Sequence, residues 1–406
     1  MINLKPELLA PAGDLEKLQM AIAYGADAVY VGGKEFSLRA NAKNFDLPQL
    51  RQAIDYAHSK NVKVYVSVNI FANNRDFAGL GEYLLALKEM GADAVIVADI
   101  GVLNIARKIP GLEIHISTQA NVTNYQSALL YKELGASRVI LARELSFAEI
   151  REVNDRTAPL ETEVFVHGAM CVSYSGRCLL SNYMTQGRDA NRGDCAQPCR
   201  WKYHLVEEMR PGEYLPVYED EGGTHIFNSK DLCVIEYIPE LVASGVTSLK
   251  IEGRMKTAYY VAMVTKVYRE ALDDYFASKA LYDSKKAHYM RQLARTGHRE
   301  FFTGFYLDKA INGQNLTNEI HNNTQEFLGV VVDYDPNTKL ATVEQRNKFS
   351  IGVNVEFIKT KGGFTQTIEE MYDIQGNPLG TAPHPQQILQ IKTAEPVERF
   401  DIMRIM

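Results

Sequence analysis

Apolar positions in this chain fall into short continuous runs separated by stretches of helical period. One unit recurs: Ala23-Tyr24-Gly25-Ala26-Asp27-Ala28-Val29-Tyr30-Val31 is echoed by Glu89-Met90-Gly91-Ala92-Asp93-Ala94-Val95-Ile96-Val97. Weaker copies run from Glu133-Leu134-Gly135-Ala136 into Val139-Ile140-Leu141, and from Ala243-Ser244-Gly245-Val246 into Leu249-Lys250-Ile251. Each reads as a helix closed by a glycine, followed by a strand apolar on both faces, as in a covered parallel sheet. The full set of predicted strands is Glu7–Ala10, Ala28–Val31, Lys63–Asn69, Ala94–Ala98, Glu113–Ser117, Arg138–Ala142, Glu163–His167 and Ser248–Glu252. Helical patterns lie between them at Asp14–Tyr24, Leu47–Ser59, Gly81–Met90 and Asn121–Leu134, with Asp14 placed to cap the first. Eight strands alternating with helices predict an α/β fold, a (β/α)8 TIM-type barrel. A doubly wound open sheet is the competing architecture, although no G-x-G-x-x-G follows the first strand.

Two regions break the alternation. Residues 168–247, between strands seven and eight, carry all five cysteines, and residues 210–224 within them are rich in Glu, Asp, Gly and Pro. Long insertions at the C-terminal ends of barrel strands are usually functional. From Phe327 the period becomes two: Val330–Val332, a turn at Asp335-Pro336-Asn337, then Leu340–Glu344 and Val353–Ile358. The expected organisation is a barrel over residues 1–280 that includes the cysteine-rich insert 168–247. A helical, basic linker follows over 281–326, then a small C-terminal all-β domain, a β-barrel, over 327–406.

The composition, 46% hydrophobic and 23% charged over 406 residues, is that of an ordinary globular protein. No basic segment followed by an apolar run opens the chain, and no run approaches the roughly 18 apolar residues of a membrane span. A cytoplasmic protein with no membrane partner is therefore expected. The net charge of −6 supplies no global basic field for nucleic acid, though a local patch would suffice.

Five cysteines in a cytoplasmic chain point to metal or catalysis rather than disulfides. Cys171, Cys178, Cys195 and Cys199 are separated by six, sixteen and three residues, with Cys233 further on. Thiolates are soft ligands for iron–sulfur clusters, zinc or copper(I), and the spacing alone does not choose among these or exclude buried apolar cysteines. A zinc ribbon would show two short knuckles, and only Cys195/Cys199 approaches one. Cys233 reads as packing near a helix start.

The C-terminal ends of the strands, where barrels do chemistry, supply Asn69, Asp99, Gln119, Arg143, Glu144, His167, Glu252 and Arg254. Arg39, Arg143, Arg177 and Arg254 would suit a polycarboxylate or phosphate. Asn69 and Gln119 join Arg39, Arg143 and Arg177 as candidate substrate contacts, and His167, Glu252 and Arg254 are the candidate catalytic groups. Glu252 with Arg254 also reads as a structural ion pair, and His167 as a residue that orients the insert. Lys285, His288, Arg291, Arg295 and Arg299 fall on one side of a predicted helix and could grip RNA phosphates, although most such runs are a solvated face. No H-E-x-x-H and no G-x-S-x-G is present. A Cys–His protease would draw on His167 and Cys171, but four cysteines at ligand spacing leave little room for a free nucleophile.

The stretch Glu163-Val164-Phe165-Val166-His167-Gly168-Ala169-Met170-Cys171, with Gly176-Arg177-Cys178-Leu179-Leu180-Ser181, resembles the signature of peptidase family U32, also called collagenase-like. Glu7-Leu8-Leu9-Ala10-Pro11-Ala12-Gly13, Gly25–Tyr30, Asn228-Ser229-Lys230-Asp231-Leu232 and Lys250-Ile251-Glu252-Gly253-Arg254 are similar as well, so that the likeness spans roughly residues 5–275. Cys195-Ala196-Gln197-Pro198-Cys199-Arg200-Trp201 and Asn228-Ser229-Lys230-Asp231 are most similar to the tRNA uridine 5-hydroxylation branch. That resemblance implies an iron–sulfur cluster, 4Fe-4S in kind, held by Cys171, Cys178, Cys195 and Cys199. It further implies prephenate, a small dicarboxylate, as co-substrate, tRNA as partner, and 5-hydroxylation of wobble uridine as the reaction. Some relatives work in pairs, which leaves a homo- or hetero-oligomer with a related subunit open. The family's older description implies the alternative, a peptidase, for which the chain offers no convincing nucleophile. A third reading is an RNA-binding scaffold with a structural zinc.

Overall fold

A computed structural model describes residues 5–37, 43–171, 173–174, 177–185, 188–190, 194–200, 218–220, 223–225, 229–307, 320–321 and 326–406. Seven strands, β1 (Glu7–Pro11), β2 (Ala28–Gly32), β3 (Lys63–Val68), β4 (Ala94–Val97), β5 (Ile114–Ile116), β6 (Arg138–Ile140) and β7 (Glu161–Ala169), run parallel and in sequence order. The eighth barrel strand, Ser248–Ile251, pairs in parallel with both β7 and β1 and closes the ring. The expected TIM-type barrel is therefore formed, and the open sheet is excluded. Each predicted barrel strand lies within two residues of its expected bounds.

Helices α1 (Leu15–Ala23), α2 (Leu47–Ser59), α3 (Leu80–Glu89), α4 (Ile100–Ala106), α5 (Tyr125–Glu133) and α6 (Phe147–Thr157) fill the crossovers. Local chemistry fixes their ends. The Asp14 carboxylate accepts from Lys17 N at 3.0 Å, and Asp46 with Gln49 forms a capping box on α2. Along α2, Leu50, Ala53, Ile54 and Ala57 are the buried positions, one stripe of a 3.6-residue period against the barrel. Gly25 adopts a φ of 97°, the left-handed conformation in which the repeated unit ends its helix.

At the N-terminal end the barrel is closed by a buried ionic network. Arg138 bridges Glu7 at 2.7 Å, Glu161 at 2.6 Å and Glu163 at 3.3 Å, and Lys250 meets the other oxygen of Glu163 at 2.7 Å. Burial alone would raise the Glu7 carboxyl, but Arg138, Tyr65 and Ser248 outweigh it and hold the group below its ordinary value. Burial lowers the Lys250 ammonium despite the opposing Glu163 charge. These residues interrupt otherwise apolar strands at inward positions, and only such mutual pairing makes their burial tolerable.

After the barrel, helix Ala258–Ala277 packs against α1 and against helix Lys279–Ala294. The C-terminal region forms a seven-stranded antiparallel sheet in the order Gly363–Thr367, Asn354–Ile358, Ile402–Ile405, Phe327–Asp335, Leu340–Gln345, Ile388–Lys392, Met371–Asp373. Both edge strands contribute to one core, through Phe364 and Met371. Tyr24 of the barrel donates to the carbonyls of Ile358 (2.9 Å) and Phe400 (3.1 Å). The fully buried Arg404 bonds Glu356, Gln292 and the Tyr259 hydroxyl. The sheet is thus tied to the barrel through polar contacts that are costly to break. Among the described residues, no helix is long and apolar enough to cross a membrane.

Candidate functional site at the barrel mouth

The mouth opposite the ionic floor gathers polar side chains from the ends of several strands. After β3 and β5, Asn69 donates from Nδ2 to Gln119 Oε1 at 2.6 Å, joining two of the expected substrate contacts. After β6, Arg143 donates to the Ala169 carbonyl at 2.8 Å and lies over the Phe165 ring at 3.9 Å. It therefore grips the root of the cysteine insert. Next to it, burial raises the Glu144 carboxyl against the pull of Arg143, and one of its oxygens has no partner among the described residues. The sequence pattern places Glu144 only at a strand end; its burial is a tertiary property that no local pattern signals.

Arg254 is buried, with guanidinium hydrogen bonds of 3.1 Å to both Ser37 Oγ and Asn44 Oδ1. It packs over Gly32, where an added Cβ would lie 2.4 Å from its Nη1. Arg254 thus ties down the two ends of the β2–α2 loop, and the expected pairing with Glu252 is not among its described bonds. Asn44 also lines a cavity of about 180 Å³ with Lys34, Lys43, Gln49 and Gln52. The sequence offered no signal for Ser37 and Asn44, since nothing in their neighbours announces an arginine more than two hundred positions away. Arg39 lies outside the described residues. Glu252 is half-buried at the mouth, and its carbonyl accepts from the Tyr260 hydroxyl at 3.0 Å.

His167 does not open onto solvent. Its ring is enclosed by Tyr260, Tyr268 and Phe301, and neither nitrogen has a partner among the described residues. Burial pulls its pKa down to about 3, so the ring is neutral at physiological pH. Nor does the basic stripe run as one face. The helix stops at Ala294; Arg295 turns to Glu326 and Glu356, and buried Arg299 donates from Nε and Nη2 to Asp231 Oδ1 and from its backbone N–H to Oδ2. Lys285, His288 and Arg291 remain exposed on the helix, with Lys285 bonded to Asp274 at 2.8 Å. The stripe breaks because Thr296-Gly297 turns the chain out of the helix.

The cysteine insert springs from the far end of β7. Its short helix Leu180–Thr185 buries Ser181, whose Oγ accepts from Ala196 N at 2.9 Å. That bond draws the Cys195–Cys199 segment back toward Cys178. Arg188 reinforces it through Asp194 at 2.9 Å. The result is convergence: burial raises the Cys171 thiol, and Cys178 and Cys195 are near enough to push it the same way, with Arg143 opposing. Among the described residues, no three His, Cys, Asp or Glu side chains are gathered so as to hold a single metal ion. Cysteine thiols are soft donors, the ligand type of iron–sulfur and zinc centres alike. Cys233 stands apart. It ends a short strand, Asp231–Cys233, antiparallel to β7, just before the helical turn that opens at Ile235, and faces the long helix Ala258–Ala277. Burial pushes its thiol up to about 12, and its sulfur lies 4.0 Å from the Tyr268 hydroxyl.

The sequence profile of peptidase family U32 matches residues 13–315, and that of the family's C-terminal domain matches residues 323–404. The chain belongs to peptidase family U32. Over its whole length it is 42% identical to tRNA hydroxylation protein P1 of Bacillus subtilis, covering 96% of that protein. It is 37% identical to tRNA hydroxylation protein P of Escherichia coli, over 93% of this chain and 92% of that one. The Escherichia coli 23S rRNA 5-hydroxycytidine C2501 synthase shares 38% identity over 66% of this chain and 39% of its own. The U32 resemblance read from the cysteine signature is thereby established, with the tRNA hydroxylation proteins among its relatives.

Proposed function

We propose that this U32 protein is a tRNA hydroxylase that uses an iron–sulfur cluster to install a 5-hydroxyl on wobble uridine, with prephenate as the oxygen-donating co-substrate. The observation that carries the reading is the convergence of Cys171, Cys178 and Cys195 at the rim of the barrel mouth, beside Arg143. Full-length similarity to proteins named for tRNA hydroxylation supports the substrate class. Cys171, Cys178, Cys195 and Cys199 would hold the cluster, which when bound supplies one-electron chemistry.

The chain's own residues do the rest. Arg143 and Arg177 offer guanidinium groups to the carboxylates of a small dicarboxylate, and the Asn69–Gln119 pair offers neutral donors and acceptors beside them. Glu144, already biased toward its protonated form by burial, can hold or release a proton at its unpartnered oxygen. Lys285 and Arg291 present positive charge to RNA phosphates, with His288 as a hydrogen-bonding neighbour between them. The peptidase alternative lacks an activated nucleophile: the Cys171 thiol is raised rather than lowered, and His167 bonds no cysteine. The test is mass spectrometry of tRNA from a strain lacking this protein and any redundant pathway. Loss of 5-hydroxyuridine-derived nucleosides, restored by the parent chain, is expected; unchanged levels contradict the assignment.

A further inference from the structure

The cysteine insert exposes apolar and aromatic groups where the rest of the mouth is polar. Helix Leu180–Thr185 turns Ser181 inward, and two positions on, Tyr183 faces outward with 76% of its surface exposed. Leu179, four residues before it, is 52% exposed, and Met184 and Tyr174 are also among the exposed large hydrophobic residues. Soluble proteins rarely leave such groups together on a surface without use for them. The patch is continuous with the candidate centre: Cys178 lies between exposed Arg177 and exposed Leu179, and the Ser181 bond to Ala196 locks the same helix to the segment of Cys195. Arg177 is near enough to influence Tyr131 of α5, which also feels Asp99 at the end of β4.

We infer that Tyr183, supported by Leu179 and Met184 and flanked by Arg177, is a stacking platform for an unpaired RNA base next to the nucleotide that enters the barrel mouth. This rests on the tRNA reading above and deepens it. A base buried in a stack cannot reach a pocket, so an enzyme acting on it must hold the loop splayed open. Aromatic faces do this for any base, and a neighbouring arginine supplies both phosphate charge and a stacking plane. The geometry favours RNA over a protein partner. The helix makes less than two turns, too little for a helix-in-groove contact, and its most exposed group is a tyrosine, amphipathic and tolerant of water when unoccupied. The exposed Arg177 beside it is complementary to phosphate.

The experiment compares the anaerobically prepared parent with Tyr183→Ala, Tyr183→Phe and Met184→Ala. Each is checked for unchanged iron content and circular dichroism, then titrated with an unmodified anticodon stem–loop RNA. Tyr183→Ala is expected to weaken binding about tenfold, the cost of one lost stack, while Tyr183→Phe binds within about twofold of the parent. Met184→Ala should fall between them. If the parent binds the stem–loop and Tyr183→Ala binds equally well, the platform is wrong while the tRNA reading stands. If the parent itself neither binds nor hydroxylates tRNA, the functional reading fails instead, and the platform falls with it. If Tyr183→Ala alters only the sedimentation of the purified chain, the patch joins copies of the protein and the proposal is overturned.

Discussion

The two ends of the barrel are built from the same eight strands and both are crowded with charge, yet they handle it in opposite ways. At the floor every ion meets its complement: Glu163 is shared between Arg138 and Lys250, and Arg138 also spans Glu7 and Glu161. At the mouth, groups are buried without being matched: a Glu144 oxygen lacks a partner among the described residues, and Cys178 and Cys195 are near enough to push the Cys171 thiol up. A matched network adds rigidity and leaves no valence for a ligand. An unmatched one costs stability and is kept where chemistry needs it. The Phe165 ring separates them, with Arg143 over it at 3.9 Å and Lys250 at 5.5 Å.

The largest expected effect breaks the mouth while sparing the floor. Cys171→Ser should abolish bound iron and 5-hydroxyuridine formation, yet leave the unfolding free energy of the metal-free protein in urea within about 0.5 kcal/mol of the parent, since Ser is nearly isosteric with Cys. Retained iron with retained activity would move the centre elsewhere. The converse substitution is Glu163→Ala, which strands Arg138 and Lys250 without their shared carboxylate. It should cost about 3–5 kcal/mol in urea unfolding, and any activity loss should track the fraction folded. A cost below about 1 kcal/mol would mean that water reaches the floor.

A smaller effect tests His167. Its pKa in the fold is about 3, against an ordinary value near 6.5, so the unfolded chain binds the proton first as pH falls. Its contribution is complete above pH 6.5 and is lost as pH drops from there toward 3, by at most about 1.4 kcal/mol per unit. His167→Gln should flatten that slope between pH 7 and 5.5; an unchanged slope would show that the ring does not stay neutral in the fold. The smallest effect compares two arginines once placed on one stripe. Arg291→Ala should leave stability within about 0.5 kcal/mol and lower the salt dependence of tRNA binding by about one counterion. Arg299→Ala should instead destabilise the protein by leaving buried Asp231 unpaired. Equal behaviour of the two would restore the stripe.

Much of the barrel was legible because its signals are local. A glycine-closed helix followed by an apolar run is visible within ten or so residues, and Asp14 caps as its position after Gly13 suggests. The family likeness was legible for a similar reason: the signature around Cys171 and Cys178 is nearly contiguous in sequence. What escaped depends on contacts across the chain. Glu163 and Lys250 were charged residues inside apolar strands, a signal that could have exposed the floor but was absorbed into the strand pattern. Arg295 and Arg299 kept helical spacing after the helix had ended. The spacing that linked them was real, but a Gly297 turn decided where the side chains went. Cys233, expected to pack near a helix start, is buried on a strand paired with β7, with its sulfur toward Tyr268 of the long helix Ala258–Ala277.

The central claim, that the mouth cysteines hold an iron–sulfur cluster above a purely structural floor, is tested most directly by metal and sulfide content with visible absorption, measured on protein purified without oxygen. Iron and acid-labile sulfide in matching amounts are predicted, with an oxygen-sensitive visible band that disappears in Cys171→Ser and persists in Glu163→Ala protein that remains folded. Zinc without iron or sulfide would contradict the account.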